Sequence, residues 1–317
     1  MFKRIVKKLL SIALDRPLPP PSSDEKIFLS ELQTACRELP VLETSNAQPS
    51  ETAWLSNMNR LRELVLNQDP REFLRWDVVS NTMFVTFARY ISTELKYLKH
   101  RTDWNIRWHK VIKESSVGHP TPYIFYPASS GNLIHHAYHV AQFEEKTRVQ
   151  VHELDFVLEF GGGYGSMCRL FYNLGFRGRY VIFDLPLFSA LQSYYLKTLG
   201  LPVRSRTEFV KSRTGIVCLS DIQYLKLILE DRIEAKNIFI ATWSISESPI
   251  SIRETVLPLV SDFHSFLIAY QDRFGEVNNL AFFDKWKETI RNVAWHSLQI
   301  EHIPGNNYVF GKVAPDS

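Results

Sequence analysis

Residues 159–165 read Glu-Phe-Gly-Gly-Gly-Tyr-Gly, an acid two positions ahead of a run of glycines. The run closes a short apolar stretch, residues 156–160, of the kind that forms a buried parallel strand, and a helix-like segment, 166–173, follows it. Open α/β sheets bind ligands where the carboxyl end of a strand meets the start of a helix. Gly161, Gly162, Gly163 and Gly165 permit positive φ there and let the backbone approach a ligand with no Cβ in the way. A second apolar run, 180–183, ends in Asp184, 25 residues after Glu159. A carboxylate at that place suits a ribose diol, because each of its oxygens can accept one hydroxyl proton. The chemistry these residues predict is recognition of a nucleoside-bearing ligand.

A second group of residues has the types needed for proton transfer. His135, His136 and His139 lie just ahead of the first strand, in an amphipathic segment over 133–145. On a helix, His139 shares a face with His135 (four apart) or His136 (three apart). An imidazole titrates near neutrality and suits the role of general base, and this segment would fold over the mouth of the sheet. A metal reading of the His-x-x-x-His pair lacks a clear third ligand, so no metal is expected. Glu247 follows the fourth apolar run and is the second candidate base, or an acid favoured by a helix start. Asp221 follows the third run and would meet the base of the nucleoside or serve as a plain turn acid. Trp243 could stack on a ring; His296 and His302 are weaker candidates.

The elements that must position these groups follow from the pattern. Apolar runs at 156–160, 180–183, 215–219, 237–243 and 265–270 alternate with helical stretches at 166–173, 188–199, about 251–261 and about 279–291. The end differs, because 295–302 and 308–313 flank Pro304-Gly305-Asn306-Asn307 and read as a hairpin. Alternating strand and helix with a terminal hairpin predicts a mostly parallel sheet carrying an antiparallel edge pair. Glycine is absent from 1 to 117. Leu61, Leu64 and Val65, then Phe84, Phe87, Ala88, Ile91, Leu95 and Leu98, recur at helical steps. The expected organisation is a basic tail (1–16), a proline-rich linker (17–24), a helical region (25–118) and an α/β domain (119–317).

This arrangement resembles the class I methyltransferase fold, a Rossmann-like sheet with an antiparallel terminal hairpin, here preceded by an α-helical region. The resemblance implies S-adenosylmethionine as cofactor, with Glu159 at its methionine end, Asp184 on its ribose and Asp221 near its adenine. Residues 157–165 with Phe183-Asp184-Leu185-Pro186 are similar to the paired motifs of plant-type small-molecule O-methyltransferases. That family takes its base from a His soon after the fourth strand, where this chain has Trp243-Ser244-Ile245-Ser246-Glu247 and no His. The closer overall match, over roughly 115–313, is the bacterial sugar O-methyltransferase family. It is carried by Ser244-Ile245-Ser246-Glu247, the Asn132–His139 stretch and Ile303-Pro304-Gly305-Asn306-Asn307-Tyr308. It implies methylation of a sugar hydroxyl on a glycan or glycan precursor, with His139, His135 or Glu247 as base. Three alternatives stay open: a non-sugar small-molecule acceptor, a nicotinamide-dependent oxidoreductase, and a non-catalytic binding module.

Composition narrows the classes further. A chain of 317 residues, 45% hydrophobic and 22% charged, can bury a sizeable core without disulfides. Three cysteines, Cys36, Cys168 and Cys218, without ligand spacing predict a reducing, cytoplasmic compartment. Residues 1–16 hold five basic side chains against Asp15 alone, so the net charge of +3 leaves the other 301 residues at −1. No basic stripe remains for a nucleic acid to follow, and none is expected as a partner. Residues 1–14 are too short to span a bilayer; they are either a frayed terminus, a helix packed on the chain's own domain, or an amphipathic helix resting weakly on the inner face of a membrane.

Overall fold

The computed structural model describes residues 18–40, 49–86, 88–234 and 236–314. The basic tail, Pro17 and the polar loop before Pro49 fall outside the described residues. Ser22 ends the proline-rich stretch by accepting the Glu25 N–H at 3.1 Å, and this cap starts α1 (Ser23–Glu38). Two further long helices follow, α2 (Pro49–Asn67) and α3 (Tyr90–His100). Between α2 and α3 the structure departs from the helical periodicity: residues 83–86 and 88–89 are not helical. Val85 N–H instead donates to Asn132 Oδ1 at 3.2 Å. Gly131 lets this segment come close, since a Cβ there would lie 2.7 Å from the Val85 carbonyl. Phe84 and Val85 are thereby laid across a cavity.

Next comes α4 (Gly131–Thr147), longer than its apolar pattern suggests because the Ser130 hydroxyl caps it through Leu133 N–H. The sheet strands are β1 (Phe156–Phe160), β2 (Arg179–Phe183), β3 (Gly215–Leu219), β4 (Asn237–Thr242), β5 (Ser265–Gln271), β6 (Val293–Gln299) and β7 (Asn306–Val313). Their order is β6-β7-β5-β4-β1-β2-β3. β1 to β5 are parallel, and β7 runs antiparallel between β5 and β6. The connecting helices are α5 (Ser166–Asn173), α6 (Pro186–Thr198), α7 (Ile222–Glu230), α8 (Ile250–Val256) and α9 (Asn279–Glu288).

The period-two alternation of a strand decides which side chain faces what. On β1, Phe156, Leu158 and Phe160 join the core under α7, α8 and α9, while Val157 joins the core shared with α4, α5, α6 and the N-terminal helices. Glu159 has the parity of Val157 and so lies on the side covered by the helical region. Beyond β4 the chain makes one helical turn, Ser244–Glu247. Fully buried Arg253 on α8 holds it, with Nη1 donating to Asn279 Oδ1 at 2.7 Å, Nε to Ser248 O at 2.9 Å and Nη2 to Ser246 O. Replacing Arg253 with Met removes all three bonds and leaves Ser246 O with only a long one, 3.4 Å, from Asn279 Nδ2. The expected loss is about 3 kcal/mol of stability, read as a lowered denaturant midpoint; an unchanged midpoint would show that the turn holds itself.

Candidate active site

The glycine turn is shaped by its neighbours. Gly161, Gly163 and Gly165 have φ of +69°, +57° and +95°. A Cβ on Gly161 would collide with the Ser244 side chain, and one on Gly162 would lie 2.5 Å from Ile182 Cγ2 and 3.2 Å from the Glu159 carboxylate. The ends of β1, β2 and β4 therefore meet here at backbone distance, with Gly161 N–H donating to Phe183 O at 2.9 Å. Ser244 donates its hydroxyl to Phe160 O. Beside this turn lies a cavity of about 880 Å³, within the range of roughly 300–1,000 Å³ typical of ligand sites.

Three carboxylates line that cavity, two of them, Glu159 and Asp184, beside the glycine turn. Glu159 is buried and accepts the Tyr180 hydroxyl at 2.8 Å; burial, with some help from Asp184, pushes its carboxyl up to about 8. Asp184 is pushed up to about 7, again mainly by burial, against the pull of the Leu185 N–H at 2.7 Å and Gln192 Nε2 at 2.8 Å. Gln192 Nε2 also donates to Gly163 O at 2.9 Å, so one amide ties the turn to its acid. Sequence reading missed Gln192, which sits on the buried face of α6 with no motif around it. Asp221, by contrast, is exposed and caps α7 through Gln223 N–H at 2.9 Å. The cavity is lined on either side of it by Ser220 and Ile222, while Asp221 itself serves as the helix cap.

The other end of the cavity holds the histidines. His135 lines it, and its Nδ1 lies 2.8 Å from Oε1 of Glu94 on α3, a carboxylate with no exposed surface. His302 Nε2 reaches the same oxygen at 3.0 Å. Burial would push Glu94 up, but His135 and His302 outweigh it and hold the carboxyl below its usual range. His136 also lines the cavity, and burial drives it down to about 3. His139 does not line it. Its ring lies 4.1 Å from that of His135, and its Nδ1 meets the Tyr308 hydroxyl, so it braces His135 from behind. The sequence spacing groups the three imidazoles correctly but favours the buried one.

Trp243 joins both ends. Its φ of +63° is strained for a non-glycine residue, a cost of about 1–3 kcal/mol. It is held by N–H donation to Ala269 O at 2.7 Å and by Nε1 to Asn306 Oδ1 at 2.6 Å. The indole stacks on His135 at 5.5 Å and 23°. Glu247 lines the cavity nearby and is raised by burial. From the helical region Trp54, Leu55, Met83, Phe84 and Tyr90 complete the wall. Among the described residues no group of three or more His, Cys, Asp or Glu side chains is arranged to hold a metal ion.

A seven-stranded sheet of this order, with the last strand inserted antiparallel, is the class I methyltransferase fold. No family model matches the chain, and no curated protein matches it. Among solved structures it is similar to mitomycin 7-O-methyltransferase at 10% identity, covering 91% of this chain and 95% of that one, with a TM-score of 0.37. It is also similar to PigF, solved with S-adenosylhomocysteine, at 13% identity, 93% and 100% coverage and a TM-score of 0.36. A third is a precorrin-6y C5,15-methyltransferase from Geobacter metallireducens, at 12% identity, 59% and 89% coverage and a TM-score of 0.36.

Gly161→Ala combines a positive φ with a collision on Ser244. It is expected to cost about 3 kcal/mol of stability, measured by denaturant unfolding, whereas Gly200→Ala, with open space around it, should cost clearly less. Equal costs would mean that the approach of β1 to β4 is not what requires glycine.

Proposed function

We propose that the chain is an S-adenosylmethionine-dependent O-methyltransferase whose acceptor is a sugar hydroxyl of a glycan or glycan precursor. The observation that carries this reading is the buried Glu94 carboxylate behind His135, in one cavity with the glycine turn and Asp184. The pocket fits the cofactor. Gly161 and Gly162 leave a backbone cradle, and two desolvated carboxylates suit the ammonium group and the ribose diol of the cofactor.

The cofactor supplies a sulfonium methyl for in-line transfer. Glu159 would hold the amino-acid end and Asp184 the diol. Glu94 accepts Nδ1–H of His135, which leaves the other imidazole nitrogen, Nε2, to take the hydroxyl proton. The indole of Trp243 keeps that ring in one orientation. Glu247 is a second base within the same cavity. Tyr90 and Trp243 offer ring faces to sugar C–H groups, while Asn306, Glu247 and Asn132 offer hydrogen bonds to hydroxyls; this mixture favours a carbohydrate over a purely apolar acceptor.

Calorimetry with S-adenosylhomocysteine should show micromolar binding that Asp184→Ala weakens at least about tenfold, with no NADH signal. An NADH signal would make the protein an oxidoreductase, and no binding of either would sink the reading. The pH dependence has a definite sign. Glu159 and Asp184 lose charge as pH falls through about 8 and 7, and the ligand's ammonium favours the ionised forms. Affinity should therefore rise between pH 6 and pH 8.5, and a flat profile would deny these acids their role. His135→Gln should lower kcat on the methylated sugar by about 10²–10⁴ with the S-adenosylhomocysteine Kd unchanged. Full activity in that variant would move the base to Glu247. Binding without turnover on any sugar or other hydroxyl would make the chain a binding module.

A further inference from the structure

Away from the cavity, the segment after α3 makes a five-residue π-helical turn, Trp104–Trp108, a rare geometry that pushes Ile106 into solvent. The hairpin of strands Pro122–Tyr123 and Tyr126–Ser130 carries Phe125 at its tip. Ile106 and Phe125 are each 73% exposed, the most exposed of the large apolar side chains described. The two loops form one surface: Trp104 packs on Tyr126 at 6.1 Å, Tyr123 on Phe125 at 5.7 Å, and Lys99 Nζ lies 5.1 Å over the Tyr126 ring.

Around these apolar tips the exposed ionisable groups are Lys96, Lys99, His100, His109, Lys110 and Lys113. The carboxylates of the same region are already engaged. Asp103 pairs with Arg101 and Arg107 and accepts from Trp108; Glu144 holds Arg107; Glu145 holds Arg101 and Tyr97; Glu114 holds Arg169. Those made by Arg101, Asp103 and Arg107 also brace the π-helical turn that presents Ile106. Two loops joined through Trp104 and Tyr126 thus carry exposed isoleucine and phenylalanine, half-buried tryptophan and tyrosine, and exposed lysines. That combination matches a bilayer surface: apolar tips reach the acyl boundary, Trp and Tyr sit at headgroup depth, and lysines meet anionic lipid. No described helix is long and apolar enough to cross a membrane, so the contact is peripheral.

We propose that the face built from Lys99, Ile106, Lys110 and Phe125 docks the protein on an anionic phospholipid surface, independently of the basic tail. The test is sedimentation of the full chain with phosphatidylcholine vesicles, with and without phosphatidylglycerol, beside an Ile106→Asp/Phe125→Asp variant and a Lys99→Glu/Lys110→Glu variant. Both pairs are exposed, so folding is preserved and is checked by unfolding midpoint. Binding only to the anionic vesicles, weakened about tenfold in each variant and by high salt, is the expected result. Binding that both variants retain, or none by the parent chain, overturns the proposal. So does a dimer in solution that the Ile106→Asp/Phe125→Asp change dissociates, since the face would then join two copies of the chain.

Discussion

A fully buried carboxylate must keep its charge compensated, and around Glu94 that requirement organises the acceptor end of the molecule. Stripping water from an isolated carboxylate costs several kcal/mol, which only close donors offset. Here the donors come from two places far apart in sequence. His135 stands on α4, and His302 on the segment entering β7. Glu94 itself is on α3. One charge therefore pins three parts of the chain to a common point, and Tyr90, Tyr138 and the His139–Tyr308 pair fill the space around it. The orientation of His135 is thus a by-product of solving an electrostatic problem in the core. Oε2 of Glu94 is buried with no partner among the described residues, so the two bonds to Oε1 leave no spare donor to replace a lost one.

The sheet was largely legible in the sequence because each parallel strand is buried on both faces and so reads as an unbroken apolar run. The predicted runs at 156–160 and 215–219 coincide with β1 and β3, and the Pro304-Gly305 turn announced the β6–β7 hairpin. The glycine turn and Asp184 were legible for a related reason. Their spacing is local, and the constraint on them is steric. Glu94 was not, because a single glutamate in a helix has no local mark that sets it apart from a solvated one. Its meaning lies in contacts 41 and 208 residues away. His139 was favoured over His136 on spacing alone; helical periodicity says which side chains share a face but not which way that face points. Residues 83–86 and 88–89 kept a helical period yet are not helical, since a tertiary bond from Val85 N–H to Asn132 outweighs a weak propensity.

The helical region and the sheet share one hydrophobic core, and the cavity takes its walls from Trp54 through to Asn306. The glycine turn supplies only the floor. Met83 stands over Gly163 at contact distance, and Trp54 meets Phe188 edge to face at 6.0 Å just past Asp184. In the proposed reaction this cover keeps water from the transferring methyl group, which is why the helices cannot be regarded as an appendage to the chemistry.

The position of β7 between β5 and β6 has a consequence for how the protein comes into being. Among the described strands β6 pairs only with β7, so the hairpin joins the sheet solely along the flank of β5. On the ribosome, the floor of the cavity is synthesised well over a hundred residues before His302, Asn306 and Tyr308 emerge. Until then Glu94 lacks one of its two imidazoles, and the β5 edge is bare. Such an edge is a template for intermolecular pairing. In any intermediate that lacks the hairpin, the acceptor end stays unfinished and the β5 edge stays open to aggregation.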